Sequence, residues 1–451
     1  MRMRHTTLWR ALLALLGACA PMSSTNAQPC TRYWADAAGD YDLGLSFQPA
    51  LAVFDDGTGP SLYTSGHFRW RKYPTGRGVP CVGRWRGERW ELLTSGLPRP
   101  HLSRMTGVRV LDDGTGPKLY TGIQITTFSA PEYRYEFYVW NGAAWSRTPP
   151  GMYESGYPRV SYNDGTGIAI FGMVNTPGQE QRLGKWVGDH WQVIGTHSPG
   201  GATQAMCVYD SGSGPELYVA GTFNAINGVS AWRIARWNGT SWRSVGNAVG
   251  SDVNGMVVYD DGSGPALFTA GYGSPAAFGT AVGKWDGHTW SVPGGGIPNS
   301  GPYITTLHYI GTHDDGRGMA LYVGGYLSLA GGTFVNSIAR WDGHAWEALG
   351  GGLYPGFGSM VSFDDGHGPA LYVSTEGGPV GATTNSVLSK WVGCPNCYAD
   401  CNRDGRLDVI DFLCFQDQYA RGDAYANCTV DTRINVADYI CFMNKYAAGC
   451  P

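Results

Sequence analysis

The residues best placed for chemistry lie near the C-terminus. Asp400, Asn402, Asp404, Asp408 and Asp411 fall at positions 1, 3, 5, 9 and 12 of a twelve-residue loop, with Gly405 at 6 and the carbonyl of Arg406 at 7. Calcium takes six to eight oxygens, and this spacing turns side-chain oxygens inward while the glycine permits the sharp turn. Four carboxylates favour a hard divalent cation over zinc, which prefers nitrogen and sulfur. A second copy follows 27 residues later, since Cys401 matches Cys428, Asp411 matches Asp438, Cys414 matches Cys441 and Tyr419 matches Tyr446. Its ligand positions are Asn427, Thr429, Asp431, Asn435 and Asp438, with Thr432 where the first copy has glycine. The expected cofactor is Ca2+, with the second loop the weaker one.

Cysteine usage fits an exported module. Seven of the eleven cysteines lie in residues 394–451. That density reads as a disulfide framework in an oxidising compartment. A zinc site at Cys394 and Cys397 lacks a second half-site and a nearby histidine. Residues 1–27 have the form of a signal peptide: Arg2, Arg4 and Arg10, an apolar run from Ala11 to Ala20, and small residues up to Ala27. Removing them takes three positive charges from a formal charge of −4 and leaves −7. Leu16-Gly17-Ala18-Cys19 gives lipid attachment at Cys19 as the alternative. No apolar run reaches the ~20 residues of a membrane-spanning helix. The expected location is outside the cell or on its surface.

The elements in front of this module are repeats. Trp-x-Gly-x-x-Trp occurs six times, starting at Trp85, Trp140, Trp186, Trp237, Trp285 and Trp341, and a seventh copy at Trp391 lacks its second tryptophan. An Asp-Asp-Gly-Thr-Gly-Pro hairpin or a variant precedes each copy, with glycines at 57, 114, 165, 212, 262, 316 and 366. The intervals of 47 to 57 residues suit propeller blades of four strands. The expected fold is all-β: a seven-bladed β-propeller over 31–393, followed by a small helical calcium-loop domain over 394–451. Residues 31–47 supply the strand missing from the last blade, through Trp34 or, in another register, Tyr41 to Gly44. That closure brings Cys30 beside Cys394. Cys397 is expected to pair with Cys450, and Cys401, Cys414, Cys428 and Cys441 among themselves. Each tryptophan is expected to pack between sheets and each hairpin aspartate to cap its turn.

Composition excludes other classes. Seventeen tryptophans and 26 tyrosines exclude a disordered chain. The 68 glycines have no period of three, which excludes collagen. The formal charge gives no reason to expect nucleic acid.

Two resemblances rest on these residues. Leu321-Tyr322-Val323-Gly324-Gly325 followed by Arg340-Trp341-Asp342 and Trp346 resembles kelch-type repeats. The duplicated loop, the run Asp411-Phe412-Leu413-Cys414-Phe415 and the ending Gly449-Cys450-Pro451 resemble a dockerin domain of secreted bacterial proteins. The second resemblance implies docking onto a cohesin-like or cell-surface partner. The kelch-like layout puts the two-to-three and four-to-one loops on one face. Trp70, Arg71, Tyr133, Tyr135, Tyr303 and Tyr354 are the candidate ligand contacts there, since aromatics beside arginine stack on sugars or anchor proteins. The favoured reading is a non-catalytic binding propeller for carbohydrate or protein. The alternatives are a glycosidase or copper oxidase and a structural envelope protein. A glycosidase needs two carboxylates across a cleft, and only Glu132, Glu136 and Glu154 are assigned to these loops. His67, His101 and His308 have no copper-site spacing.

Overall fold

The computed structural model describes residues 32–393 outside 38, 40, 45–50, 71–77, 88, 99–102, 127–132, 150–155, 176–180, 247–251, 274–279, 300–304, 354–356, 367 and 376–387, and, further on, residues 399, 401, 407, 409–422, 426–428 and 433–448. The chain divides into two units, one of them Arg32–Pro395.

This unit is a seven-bladed β-propeller. Each blade is an antiparallel sheet, and blades two to six each take their four strands in chain order from one segment. The first strands contact one another in cyclic order, and Leu51–Asp55 of blade one touches both Ser103–Asp112 of blade two and Phe357–Asp364 of blade seven. The ring is therefore closed. Blade seven has only three strands from its own segment, and Tyr33–Asp36 supplies the fourth, with Trp34 opposite Trp391. Tyr41–Gly44 pairs elsewhere, along His67 to Trp70 in blade one.

The tryptophan motif explains why the blades repeat. The two tryptophans of each blade sit on paired strands with ring centroids 5.2–5.4 Å apart, and Trp34 with Trp391 makes the seventh such pair. The second tryptophan also reaches back to the preceding blade. Trp145, Trp242, Trp290 and Trp346 donate from Nε1 to the carbonyls of Leu93, Ile194, Val245 and Pro293. Trp34 does the same to Leu349 at 3.1 Å. The closing strand is thus built into the ring as a fourth strand. Burying such side chains supplies ~1.5–3 kcal/mol each.

The hairpins between first and second strands are capped as expected. In all seven, the Oδ1 of Asp55, Asp112, Asn163, Asp210, Asp260, Asp314 or Asp364 accepts two backbone N–H bonds, from the glycines two and four residues later. Gly57 and Gly59, at φ 92° and 100°, show why glycine is needed: a Cβ is strained in that region. Two short hairpins, Ala225–Ile226 with Val229–Ser230 and Leu329–Ala330 with Thr333–Phe334, interrupt blades four and six. Each is fastened to the blade before it, through Asn227 N–H to Thr196 O and Gly331 N–H to Gly296 O.

The C-terminal unit contains two helices, α1 (Val409–Arg421) and α2 (Val436–Ala448). They repeat at the 27-residue offset. Phe415 of α1 stacks on Phe442 of α2 with centroids 3.9 Å apart, and both are fully buried. Cys401 is bonded to Cys414 and Cys428 to Cys441. The four central cysteines therefore pair within each copy. Cys30, Cys394, Cys397 and Cys450 lie outside the described residues, as do residues 1–27.

Candidate functional sites

In the C-terminal unit, α1 and α2 each place one carboxylate of the loop motif in their first turn. Asp411 and Asp438 are both fully buried. A buried carboxylate must be met by hydrogen bonds or a cation. Asp438 Oδ2 accepts the N–H of Asn435 at 2.8 Å, and Asn435 Oδ1 accepts the N–H of Ala437 at 2.8 Å. Together these bonds cap the start of α2 and satisfy free backbone donors there. Asn427 is also described. Asp400, Asn402, Asp404, Arg406, Asp408, Thr429 and Asp431 lie outside the described residues.

The same helices carry an exposed apolar surface. Val409 and Leu413 on α1 match Val436 and Ile440 on α2 across the duplication, and all four are more than half exposed. Ile410 and Met443 extend it. Residues four apart lie on one helix face, so each helix shows the same apolar pair to solvent. Helices of a small domain normally bury such positions.

In the propeller, the acidic hairpins are used for structure. In six of the seven hairpins the residue after the capping one is an aspartate that pairs with a cation. Most of these cations stand one position before the first tryptophan of the blade: Arg84 with Asp56, Lys185 with Asp164, Lys284 with Asp261 and Lys390 with Asp365. Two blades break the pattern and restore it. Blade two has Val139 at the cation position, and Lys118 of the second strand pairs with Asp113 at 2.8 Å instead. Blade four has Ser211 at the acid position, and Glu216 pairs with Arg236 at 3.0 Å. Burial opposes the charge of Asp164, yet hydrogen bonds from Lys185 and Thr166 outweigh it and hold the carboxyl below its ordinary range. Sequence reasoning missed these pairs, although the cation stands at a fixed position in six of the seven blades.

Blade six concentrates the charge. Asp315 is fully buried and meets three arginines: Arg317 at 2.7 Å, Arg340 at 3.8 Å and Arg32 at 3.6 Å. Arg32 precedes the closing strand and also donates to the Asp315 carbonyl. Trp391 of blade seven donates to its carboxylate. Burial alone would raise the Asp315 carboxyl. The Arg317 hydrogen bonds and the arginine charges reverse that and hold it at about 2.

The loops assigned to ligand contact are partly strand. Trp70 ends the eleven-residue strand Pro60–Trp70, and Tyr133 and Tyr135 begin Tyr133–Trp140. Long second and third strands of blades one and two continue their ladders into these segments. Arg71, Tyr303 and Tyr354 lie outside the described residues, as do Glu132, Glu154 and His101. Glu136, read as a loop acid, is a buried strand residue that accepts from the Tyr138 hydroxyl and pairs with Arg147 at 3.2 Å. Trp232, which sequence reasoning did not single out, is 42% exposed. The Arg233 guanidinium stacks 4.6 Å from one of its rings. Asn224 and Asp252 hold Arg233 in place. Among the described residues, no helix is long and apolar enough to cross a membrane. The two disulfides belong to an oxidising compartment.

No protein-family model matches the chain, and no curated protein matches it. Solved structures do. BBS1N in complex with ARL6DN is similar over 80% of this chain and 98% of that one, with a TM-score of 0.43 and 11% identity. A polysaccharide lyase, an ulvanlyase bound to a GlcA–Rha3S saccharide, is similar over 80% and 96%, with a TM-score of 0.40 and 13% identity. The six-bladed fucose-binding lectin of Aleuria aurantia is similar over 54% and 76%, with a TM-score of 0.30 and 17% identity. At these identities no function passes from them to this chain.

Proposed function

We propose that this chain is an exported, non-catalytic binding propeller, docked through its C-terminal module onto a cohesin-like protein or a cell-surface partner in the presence of calcium. The observation that carries this reading is the duplicated apolar pair, Val409 with Leu413 and Val436 with Ile440, left exposed on two short helices. A small module stapled by its own disulfides has no internal use for such a surface. Calcium fits the donor set. Asp411 and Asp438 bring one buried carboxylate to each helix start, where the ion would neutralise charge that burial otherwise penalises. Asp400, Asn402, Asp404, Asp408 and the Arg406 carbonyl would complete the first site. Asn427, Thr429, Asp431 and Asn435 would contribute to the second.

The binding role of the propeller is supported by where its acids are spent. Hairpin carboxylates cap turns and pair with lysine or arginine, and Glu136 is paired as well. Trp232 offers a half-exposed indole stiffened by Arg233, a low-entropy contact surface for a sugar or a protein. Trp70, Arg71, Tyr133, Tyr135, Tyr303 and Tyr354 remain proposed contacts on the same reading.

The test uses the mature protein and purified cohesin modules in an interferometry assay, with calcium and with EDTA. Binding is expected in calcium alone and is expected to be lost in the pair Val409→Lys and Val436→Lys. Binding indifferent to EDTA or equal binding by residues 28–393 would overturn the docking reading, and no binding to any cohesin would remove its cohesin form. Release of reducing sugar from polysaccharides, with or without copper, would overturn the non-catalytic one.

A further inference from the structure

Blades four and six carry their inserted hairpins on the same backbone bonds. In blade four, Ala231 N–H donates to Asn224 O, Arg233 N–H to Phe223 O and Gly221 N–H to Arg233 O; in blade six, Val335, Ser337 and Gly325 donate to Ser328, Leu327 and Ser337. Each insertion ends on a left-handed residue, Arg233 at φ 67° and Ser337 at φ 62°. That conformation costs a residue with a Cβ ~1–2 kcal/mol, and such strain collects at ligand clamps. Serine in blade six shows that the backbone does not require a long side chain there. What arginine adds in blade four is its guanidinium. The position before it differs too. Asn336 of blade six donates from Nδ2 to Gly351 O at 3.0 Å and so holds its own chain. Its counterpart Trp232 makes no side-chain hydrogen bond among the described residues and is 42% exposed.

The guanidinium is already engaged. It donates to the carbonyl of Thr222 and to Asn224 Oδ1 at 3.1 Å, pairs with Asp252 Oδ1 at 3.2 Å, and stacks 4.6 Å from an indole ring centre. With Arg233 against one side, the exposure of Trp232 comes from the opposite face and the ring edge. The clamp holds the indole before any ligand arrives, which lowers the entropy cost of contact. Beside the clamp stand a donor and an acceptor. Asn224 is exposed, and its amide nitrogen makes no hydrogen bond among the described residues. Asp252, with its side chain 28% exposed, meets Arg233 through Oδ1 and keeps Oδ2. A sugar hydroxyl both donates and accepts, which suits this pair, and the C–H face of a pyranose suits the indole. The Arg233–Asp252 pair carries no net charge, so it gives an ionised sugar no advantage. A protein hot spot sits in a well-packed, desolvated pocket, whereas Trp232 is open and flanked by polar groups.

We infer that Trp232 is the stacking platform for a neutral pyranose of an extracellular polysaccharide, with Asn224 and Asp252 meeting its hydroxyls and Arg233 as the positioning residue. The inference rests on the binding reading above and adds the place and the ligand class. The test is calorimetry on the mature protein with cellohexaose, xylohexaose and mannohexaose as neutral probes and hexagalacturonate as the acidic one, beside an array of neutral and acidic glycans. At least one neutral hexaose is expected to bind, and more tightly than hexagalacturonate. Trp232→Ala is expected to weaken that binding by about tenfold or more. Trp232→Tyr restores an aromatic face and is expected to recover most of it. Arg233→Gly suits the left-handed backbone, so the hairpin is kept, and loss of the clamp is expected to weaken binding several-fold. Circular dichroism and melting temperature establish that each variant is folded. Glycan binding unchanged in Trp232→Ala would overturn the platform while leaving the binding reading intact. Binding lost in Trp232→Ala but unchanged in Arg233→Gly would remove the positioning role. Binding confined to hexagalacturonate would overturn the neutral class. No glycan bound at all would remove the platform and the carbohydrate form of the binding reading together.

Discussion

Replacing Asp315 with alanine should loosen the ring where it closes. The carboxylate is fully buried and joins Arg317 and Arg340 of blade six, Arg32 before the closing strand and Trp391 of blade seven. Removing it leaves Arg340, only 3% exposed, with the partly exposed Glu347 at 3.2 Å as its remaining counter-charge, so the cost of a one-sided break is an upper bound here. Breaking a buried pair from one side costs ~3–5 kcal/mol. The pH dependence gives a second estimate. Asp315 is held at about 2 against an ordinary 3.8, and that difference corresponds to about 2 kcal/mol. A depressed folded carboxylate stabilises above its unfolded value, so this contribution is complete above pH 3.8 and is lost as pH falls towards 2. The assay is urea unfolding of the mature protein, followed by tryptophan fluorescence at pH 7 and at pH 3. Asp315→Ala should lower stability by about 2–5 kcal/mol at pH 7 and by less at pH 3. Asp261→Ala, which removes a single lysine pair in blade five, should cost clearly less. A loss under about 1 kcal/mol for Asp315→Ala, or one equal at both pH values, would refute the closure clasp.

Trp34→Ala should cost about 3–5 kcal/mol in the same assay, as for other buried aromatics; a melt like the wild type would mean that Tyr33–Asp36 does not close blade seven. His313 is buried against Ser362 Oγ at 2.8 Å, and burial lowers its imidazole to about 4 from 6.5. The unfolded chain therefore takes up a proton first on acidification, and about 3 kcal/mol should be lost between pH 6.5 and 4; His313→Gln should flatten that slope, and an unchanged slope would reassign it. Non-reduced peptide mapping should recover Cys401 with Cys414 and Cys428 with Cys441, together with the expected pairs Cys397 with Cys450 and Cys30 with Cys394. Cys450 recovered as a free thiol would remove the clasp of the module.

Much of the fold was legible because each blade repeats a few residues whose roles are local. Trp-x-Gly-x-x-Trp marks the third and fourth strands, and an aspartate two and four residues before glycines marks the hairpin. The closing strand was legible because Trp34 stands where the seventh motif lacks its partner. What was not legible depends on neighbours distant in sequence. The Arg32–Asp315 pair spans 283 residues. His67 to Trp70 and Tyr133 to Tyr138 read as loops because polar and aromatic residues crowd there, yet pairing with neighbouring strands extends them. The duplicated helices were legible from the cysteine and tyrosine offsets. The exposed apolar pairs could have been found from the same offsets, because Val409 and Val436 occupy equivalent positions.

Calcium calorimetry on the full mature protein tests the proposed role most directly, comparing the wild type with Asp404→Ala and Asp431→Ala. Ligand bound to the folded state alone also stabilises it by mass action, so thermal melts with calcium and with EDTA accompany each titration. The account predicts a calcium heat that is strongly reduced in Asp404→Ala and less so in Asp431→Ala, with a C-terminal transition that rises in calcium only when the first loop is intact. Equal calcium heats from the wild type and Asp404→Ala, with melts indifferent to EDTA, would contradict it.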